Sequence, residues 1–590
     1  MSHLAGAKRW FASGKTVSLW FIVLASGCAR PGQNFPITQI GRGTAANNAR
    51  LVGVAPDVAR TVNSERIAKA ETEPQNWMTY YGSYSGQRFS RLAQVSTANV
   101  KSLGVAWQYQ EPPLGLIAGQ VGFSLQAAPI VVDGVMYMTG PDAVVWALDA
   151  ATGAILWKYQ HAVSLDTPLC CGTSNRGVAV ADGKVMFATP SGHMIALDAI
   201  TGKPVWNTTF LDVRAGESST AAPLVVKNMV LIGSAGAEYG VRGHIDAFDI
   251  ATGRRVWRRY NVPKPGEPGS ETWPAKGDAW ARGGGTAWIT GTYDPELNLV
   301  YWGIGNPGPL FTAEVREGDN LYTDAIVALN PDNGELKWYF QTTPHDQWDY
   351  DAVSEPILFD RDGRKLLVQF NKNGYYYLLD RVSGKLIHAL PFVRTTWGDV
   401  DSLTGKVTVR RVPSDKGTVI CPGAAGGKEW THASYSPRTQ LVYVPVIEQC
   451  ATFVRHVQRF REGMGYWGSV PNPVEGEHWG YVKAIDPVTG KVAWAYRTKY
   501  PVVASVLSTA SDLVFAGEAT GEFDALDGRT GALLWQLQTG SGIHSSPVTY
   551  SVAGKQYFAV PSGWGGWVKG FAPELAAAPH GDALVVFTLH

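Results

Sequence analysis

Charge is scarce in this chain. Asp, Glu, Lys and Arg make up 17% of its 590 residues, below the quarter usual for globular proteins, and 51 basic side chains nearly cancel 50 acidic ones. The basic residues are scattered rather than striped, which excludes the electrostatic footprint of a nucleic-acid binder. Cysteine is also sparse, with five in all. None stands in a Cys-x-x-Cys-His run, so a c-type haem attachment site is excluded. The apolar run Val17–Ala25 is too short for a permanent membrane span. What the chain has in excess is glycine, 66 residues, and tryptophan, 22.

The N-terminus reads as an export signal. Lys8, Arg9 and Lys15 precede the apolar run, and the small residues "ASGC" close it at Cys28, the order of a secretory leader. "LASGC" is also similar to a bacterial lipobox, which would make Cys28 a lipid anchor, although Ala25 stands where leucine is usual. Plain cleavage near Gly27 stays open. The expected organisation is a signal over 1–27, a linker over 28–74 without strand periodicity, and one domain over 75–590. Without Cys28 four cysteines remain, an even number suited to an oxidising compartment. Cys421 and Cys450 can close a loop; the adjacent Cys170 and Cys171 read on their own as two buried thiols.

A repeat accounts for much of the tryptophan. "ALDAATGAILW" at Ala147, "ALDAITGKPVW" at Ala196 and "AFDIATGRRVW" at Ala247 are spaced by 49 and 51 residues. Copies return at Ala328, Ala484 and Ala525, with a weaker one, "LLDRVSGKLIH", at Leu378. Each is a strand, an Asp-x-x-Thr-Gly turn and a second strand, the glycine supplying a positive φ. An apolar β-branched segment precedes each copy. About fifty residues of strand and turn is one four-stranded propeller blade. The expected fold is therefore all-β, an eight-bladed propeller whose repeat tryptophans dock each blade on its neighbour.

A propeller gathers loops around one axis, so residues that break the repeat are the candidates for chemistry. "GSAGAEYGVRG" (Gly233–Gly243) offers Glu238, "RGGGTAWIT" (Arg282–Thr290) the non-repeat Trp288, and "GIGNPGP" (Gly303–Pro309) Asn306. "NKNG" offers the cation Lys372, and "TTPHDQWDYDAV" (Thr342–Val353) places Asp349 and Asp351 two apart. On an extended segment those two carboxylates share a side and need a cation or a proton between them.

In order along the chain, "NWMTYYGSYSGQRFSRLAQVSTANVKSLGVAWQY" (Asn76–Tyr109), the "CC…NRG" run, "GAEYGVRG", "GGGTAW", "GNPGP", "WDYD" and "NKNG" resemble the PQQ-dependent (pyrroloquinoline quinone) alcohol dehydrogenases. The resemblance implies an eight-bladed propeller with the quinone and a metal ion on its axis, oxidising alcohols to aldehydes. It implies that Glu238 and Asn306 are metal ligands and that Asp349 is the catalytic base, also near the metal. Trp288 would stack under PQQ, with a Cys170-Cys171 vicinal disulfide on the other face. Arg176, Thr220, Thr286 and Lys372 would make polar contacts, with Ala235, Gly236 and Ala237 as backbone along the ring and Trp564 closing the site. Two positions depart from the family's pattern: Gln126 replaces a glutamate, although it can still hydrogen-bond PQQ, and Glu429 replaces an asparagine. Sugar or polyol oxidation is the alternative reading, and a non-catalytic envelope scaffold a third.

Asp351 matches the aspartate that marks the lanthanide-dependent members. Three carboxylates with Asn306 suit a trivalent ion better than Ca²⁺, which remains the alternative. The implied partners are a small alcohol and a separate electron acceptor, a cytochrome c, with a homodimer open. The implied location is the periplasm.

Overall fold

A computed structural model describes residues 53–110, 125–162, 169, 172–469, 471–564, 568–577 and 581–590. The expected signal, Cys28 and the Cys170-Cys171 pair lie outside the described residues. Among the described residues eight sheets carry the chain, each with at least four strands and antiparallel throughout except where Phe89–Ser90 pairs parallel with Ser508 and Thr509, and a two-stranded hairpin, Gly398–Val400 with Val407–Val409, is added at one side. The first complete sheet runs through Ile130–Val132, Val135–Thr139, Val144–Asp149 and Ile155–Gln160 in sequence order. Its successors repeat that meander, so the all-β, eight-bladed expectation holds.

The last sheet is assembled from both ends of the described chain. Strand Leu103–Gln110 pairs antiparallel with Asp582–Leu589, Trp107 opposite Val586, and completes a sheet otherwise made of residues 548–589. Closing the ring this way leaves no long sheet edge exposed.

The repeat motif explains how blades join. Trp157 Nε1 donates to the Ala199 carbonyl of the next blade at 2.9 Å, and Trp206, Trp257, Trp338 and Trp494 make the same bond onward at 2.8–3.2 Å. Each indole lies over the turn glycine of that blade: a Cβ at Gly202 would sit 2.7 Å from the Trp157 ring, and Gly202 has φ +69°. Positive φ and a missing side chain are both required there, which is why the turn keeps glycine. The weaker copy substitutes His388, whose Nε2 lies 3.1 Å from the Val488 carbonyl in the equivalent position.

The linker expectation is corrected over its described half. Ala59, Val62 and Ile67 are buried in the core of the first blades. Gly53 N–H donates to Leu156 O at 2.8 Å, and Asp182 N–H to Val62 O at 2.8 Å. Short helical turns carry these residues, so strand periodicity could not reveal them. The expected disulfide between Cys421 and Cys450 is formed, with Cα atoms 4.4 Å apart.

Candidate active site

The cavity is built by a rule of position. In an antiparallel meander the start of a blade's first strand and the end of its second lie at the same end of the blade. Gln126, Arg176, Thr220, Trp288, Asp349, Asp351, Glu429, Trp430 and His544 all precede first strands. Ala235, Gly236, Glu238 and Lys372 follow second strands. All thirteen line one cavity, together with the apolar Leu169, Leu310, Phe311, Trp467 and Phe571.

Lys372 is the hub of its charge. The ammonium lies 3.1 Å from Asp349 Oδ2, 3.1 Å from Asp351 Oδ2 and 3.5 Å from Glu429 Oε1. Burial alone would lower its pKa, but Asp349, Asp351 and Glu429 overcome that and hold it well above the usual lysine range. Burial pushes the Asp349 carboxyl well above the usual aspartate range, Lys372 opposes the rise, and Asp351 adds to it. Glu238 is pushed up to about 7, by burial first and the charge of Asp351 among the rest.

Asp349 and Asp351 meet, but not through an extended backbone. No residue from 342 to 353 lies in a strand, and Asp349 adopts φ +69°, a left-handed conformation rare for a side-chain-bearing residue. Asp351 is pinned on its other oxygen: Oδ1 accepts from the Asn306 backbone N–H at 3.0 Å and from Trp288 Nε1 at 3.1 Å. Gly305 makes the approach possible, since a Cβ there would fall 2.3 Å from Asp351 Oδ1.

Arg176 occupies an aromatic slot, its guanidinium carbon 5.1 Å from the Trp288 ring centre and 4.4 Å from that of Trp430. Burial lowers its pKa to about 10 while Tyr80 and Glu429 oppose the shift. Four expected site residues do not line the cavity. Thr286 and Asn306 are buried behind it, the Thr286 carbonyl accepting from Gly305 N–H at 2.7 Å. Ala237 is buried beside Glu238, and Trp564 packs on His544 with ring centres 5.7 Å apart.

Trp430 and His544 were not among the sequence candidates. A tryptophan after paired glycines in "GGKEW", like Trp288 in "GGGTAW", was a readable signal for the first. Nothing in the run around His544 marked it. Its ring nitrogens have no hydrogen-bond partner, and burial with the charge of Arg176 lowers its pKa to about 3.

The residues fit a flat polyanion. Arg176 and Lys372 are cations able to pair with carboxylates, and Trp288 supplies a planar face. Gln126 Oε1, Arg176 Nε and Thr286 Oγ1 are buried polar atoms without a partner. For a metal, the carboxylates of Glu238, Asp349 and Asp351 with the Asn306 amide are the hard oxygen donors such an ion takes. Among the described residues, however, no three acidic, histidine or cysteine groups converge on a metal-sized point, and the Lys372 ammonium bridges two of them.

The family model described as "PQQ: Glucose/ethanol/alcohol dehydrogenase, beta-propeller domain" matches residues 77–401 and 402–558. The quinohemoprotein alcohol dehydrogenase ADH-IIG of Pseudomonas putida is 39% identical, over 92% of this chain and 80% of that protein. The lanthanide-dependent methanol dehydrogenase of Methylacidiphilum fumariolicum (strain SolV) is 38% identical, over 88% of this chain and 90% of that one. The solved europium-containing methanol dehydrogenase superposes with a TM-score of 0.82 at 35% identity, covering 89% of this chain and all of that structure. A family model covering most of the chain, with relatives this similar along their length, places the chain in the PQQ-dependent alcohol dehydrogenase family.

Proposed function

We propose that the protein oxidises primary alcohols to aldehydes, with Asp349 as the base, in the periplasm, passing electrons to a separate acceptor such as a cytochrome c. The observation that carries this reading is the pairing of Asp349 with Lys372 in a cavity floored by Trp288 and holding Arg176. When bound, PQQ supplies a quinone that accepts hydride, and its metal supplies Lewis acidity.

The protein's own residues do the rest. Asp349, its proton affinity raised by burial, takes the hydroxyl proton of the alcohol on a carboxylate oxygen. Lys372 steadies the charge on Asp349 and, with Arg176, would pair with carboxylates of the cofactor. Trp288, held by its bond to Asp351, would offer its planar face to the cofactor's ring. Leu310, Phe311, Trp467 and Phe571 keep water from the reacting atoms. Glu238, Asn306, Asp349 and Asp351 would hold the metal, with a lanthanide favoured over Ca²⁺ because three of the four are carboxylates. Gln126, Thr220, Ala235 and Gly236 would complete the cofactor's surroundings, with Thr286, Ala237 and Trp564 set back from the cavity lining.

The test is reconstitution of the apo-protein with PQQ and either La³⁺ or Ca²⁺, assayed with a dye acceptor on alcohols, aldehydes and sugars. Alcohol turnover with La³⁺ above that with Ca²⁺ is expected. Equal or greater activity with Ca²⁺ sinks the lanthanide choice; preference for sugars sinks the substrate.

A further inference from the structure

The cofactor cavity contains one carboxylate that neither the base nor the proposed metal set uses. Glu429 is buried, lines the cavity and places Oε1 3.5 Å from Lys372 Nζ. Its other oxygen, Oε2, accepts the Trp430 backbone N–H at 2.7 Å, which fixes the carboxylate plane. The backbone is held from behind, because Lys428 Nζ donates to the Glu429 carbonyl at 3.3 Å and to Glu355 Oε2 at 2.9 Å. Lys428 and Glu355 are both fully buried. Glu429 is thus built into place, and it faces Lys372, a cation the cavity offers an anionic ligand.

Its charge reaches across the cavity. It contributes to the electrostatic environment of Lys372, Arg176 and Glu238 alike. Among the described residues the lining carries four carboxylates, Glu238, Asp349, Asp351 and Glu429, against two cations, Arg176 and Lys372, for a formal charge of −2 with every group ionised. Gln126 faces the same cavity as a neutral amide. The fourth carboxylate therefore acts with one sign on an anionic guest and the other on a cation. A trivalent ion gains half as much again from it as a divalent ion at the same distance.

We propose that Glu429 is a specificity-determining residue that sets the cavity's charge: it weakens the hold on the tricarboxylate quinone and raises the preference for a trivalent over a divalent cation. This rests on the PQQ reading above. The variant Glu429→Gln keeps an acceptor for the Trp430 N–H and removes the charge.

The experiment titrates PQQ into metal-free full-length protein by quenching of tryptophan fluorescence. It then measures Tb³⁺ binding by sensitised luminescence, with Ca²⁺ as competitor. Relative to wild type, Glu429→Gln is expected to bind PQQ at least five-fold more tightly and to lose at least five-fold of its Tb³⁺-over-Ca²⁺ preference. Glu429→Ala, which also removes the Trp430 anchor, should move both readouts in the same direction. If wild type binds PQQ and Glu429→Gln binds within two-fold of it, or more weakly, the assignment is overturned. An effect in Glu429→Ala alone also overturns it, since the role is then to anchor Trp430. If wild type binds no PQQ at all, the quinone reading itself fails.

Discussion

Among single side chains, the Lys372 ammonium organises the site by standing between Asp349 and Asp351, and the two aspartates have separable consequences. Asp349→Ala should lower alcohol turnover by about 10²–10⁴-fold with either metal, the range for a lost general base. Asp351→Ala should lose La³⁺-supported turnover while retaining more of any Ca²⁺-supported turnover; unchanged La³⁺ activity would contradict its place among the ligands. A third residue sets a pH limit. His432 is buried, and burial first, then the charges of Arg88, Lys428 and Arg176, holds its pKa well below the usual histidine value. Its folded pKa is below its unfolded one, about 6.5. The stability this neutrality contributes is therefore complete above about pH 6.5 and is lost as pH falls below it. Tm should fall between pH 7 and pH 5, and fall less in His432→Gln, as a pair of thermal melts will show.

At the scale of elements, the unit is a blade docked by its tryptophan on the next blade's turn. Gly202→Ala places a methyl 2.7 Å from the Trp157 ring at φ +69°. Left-handed strain alone costs about 1–2 kcal/mol, and crowding the ring adds to it. Chemical denaturation should show a loss of about 2 kcal/mol or more. This level was the most readable from sequence, because Asp, Gly and Trp recur at a fixed spacing and each answers a local need. The site was readable only in part. Trp288, Glu238 and Lys372 stand in glycine-rich or charged runs that interrupt the repeat. His544 reaches the cavity because it precedes a first strand, and that follows from topology rather than composition. The crowding of Asp349 and Asp351 was legible, but its cause was not: the pair meets through a left-handed residue rather than extended backbone.

For the molecule as a whole, the ring is closed by strand Leu103–Gln110 beside Asp582–Leu589. Val585, Val586 and Phe587 are fully buried in that joint. Removing Asp582–His590 leaves strand edges unpaired, so the truncated chain should lose its cooperative melt and bind a hydrophobic dye; an unchanged melt would contradict the closure. Only a closed ring brings residues from Gln126 to His544 around one cavity, and the function rests on that convergence. The most direct test is titration of metal-free protein with PQQ, followed by quenching of tryptophan fluorescence. The account predicts saturation at one quinone per chain, with affinity reduced at least ten-fold in Arg176→Ala, whose guanidinium lies between Trp288 and Trp430. Absence of saturable binding, or equal affinity in Arg176→Ala, would contradict it.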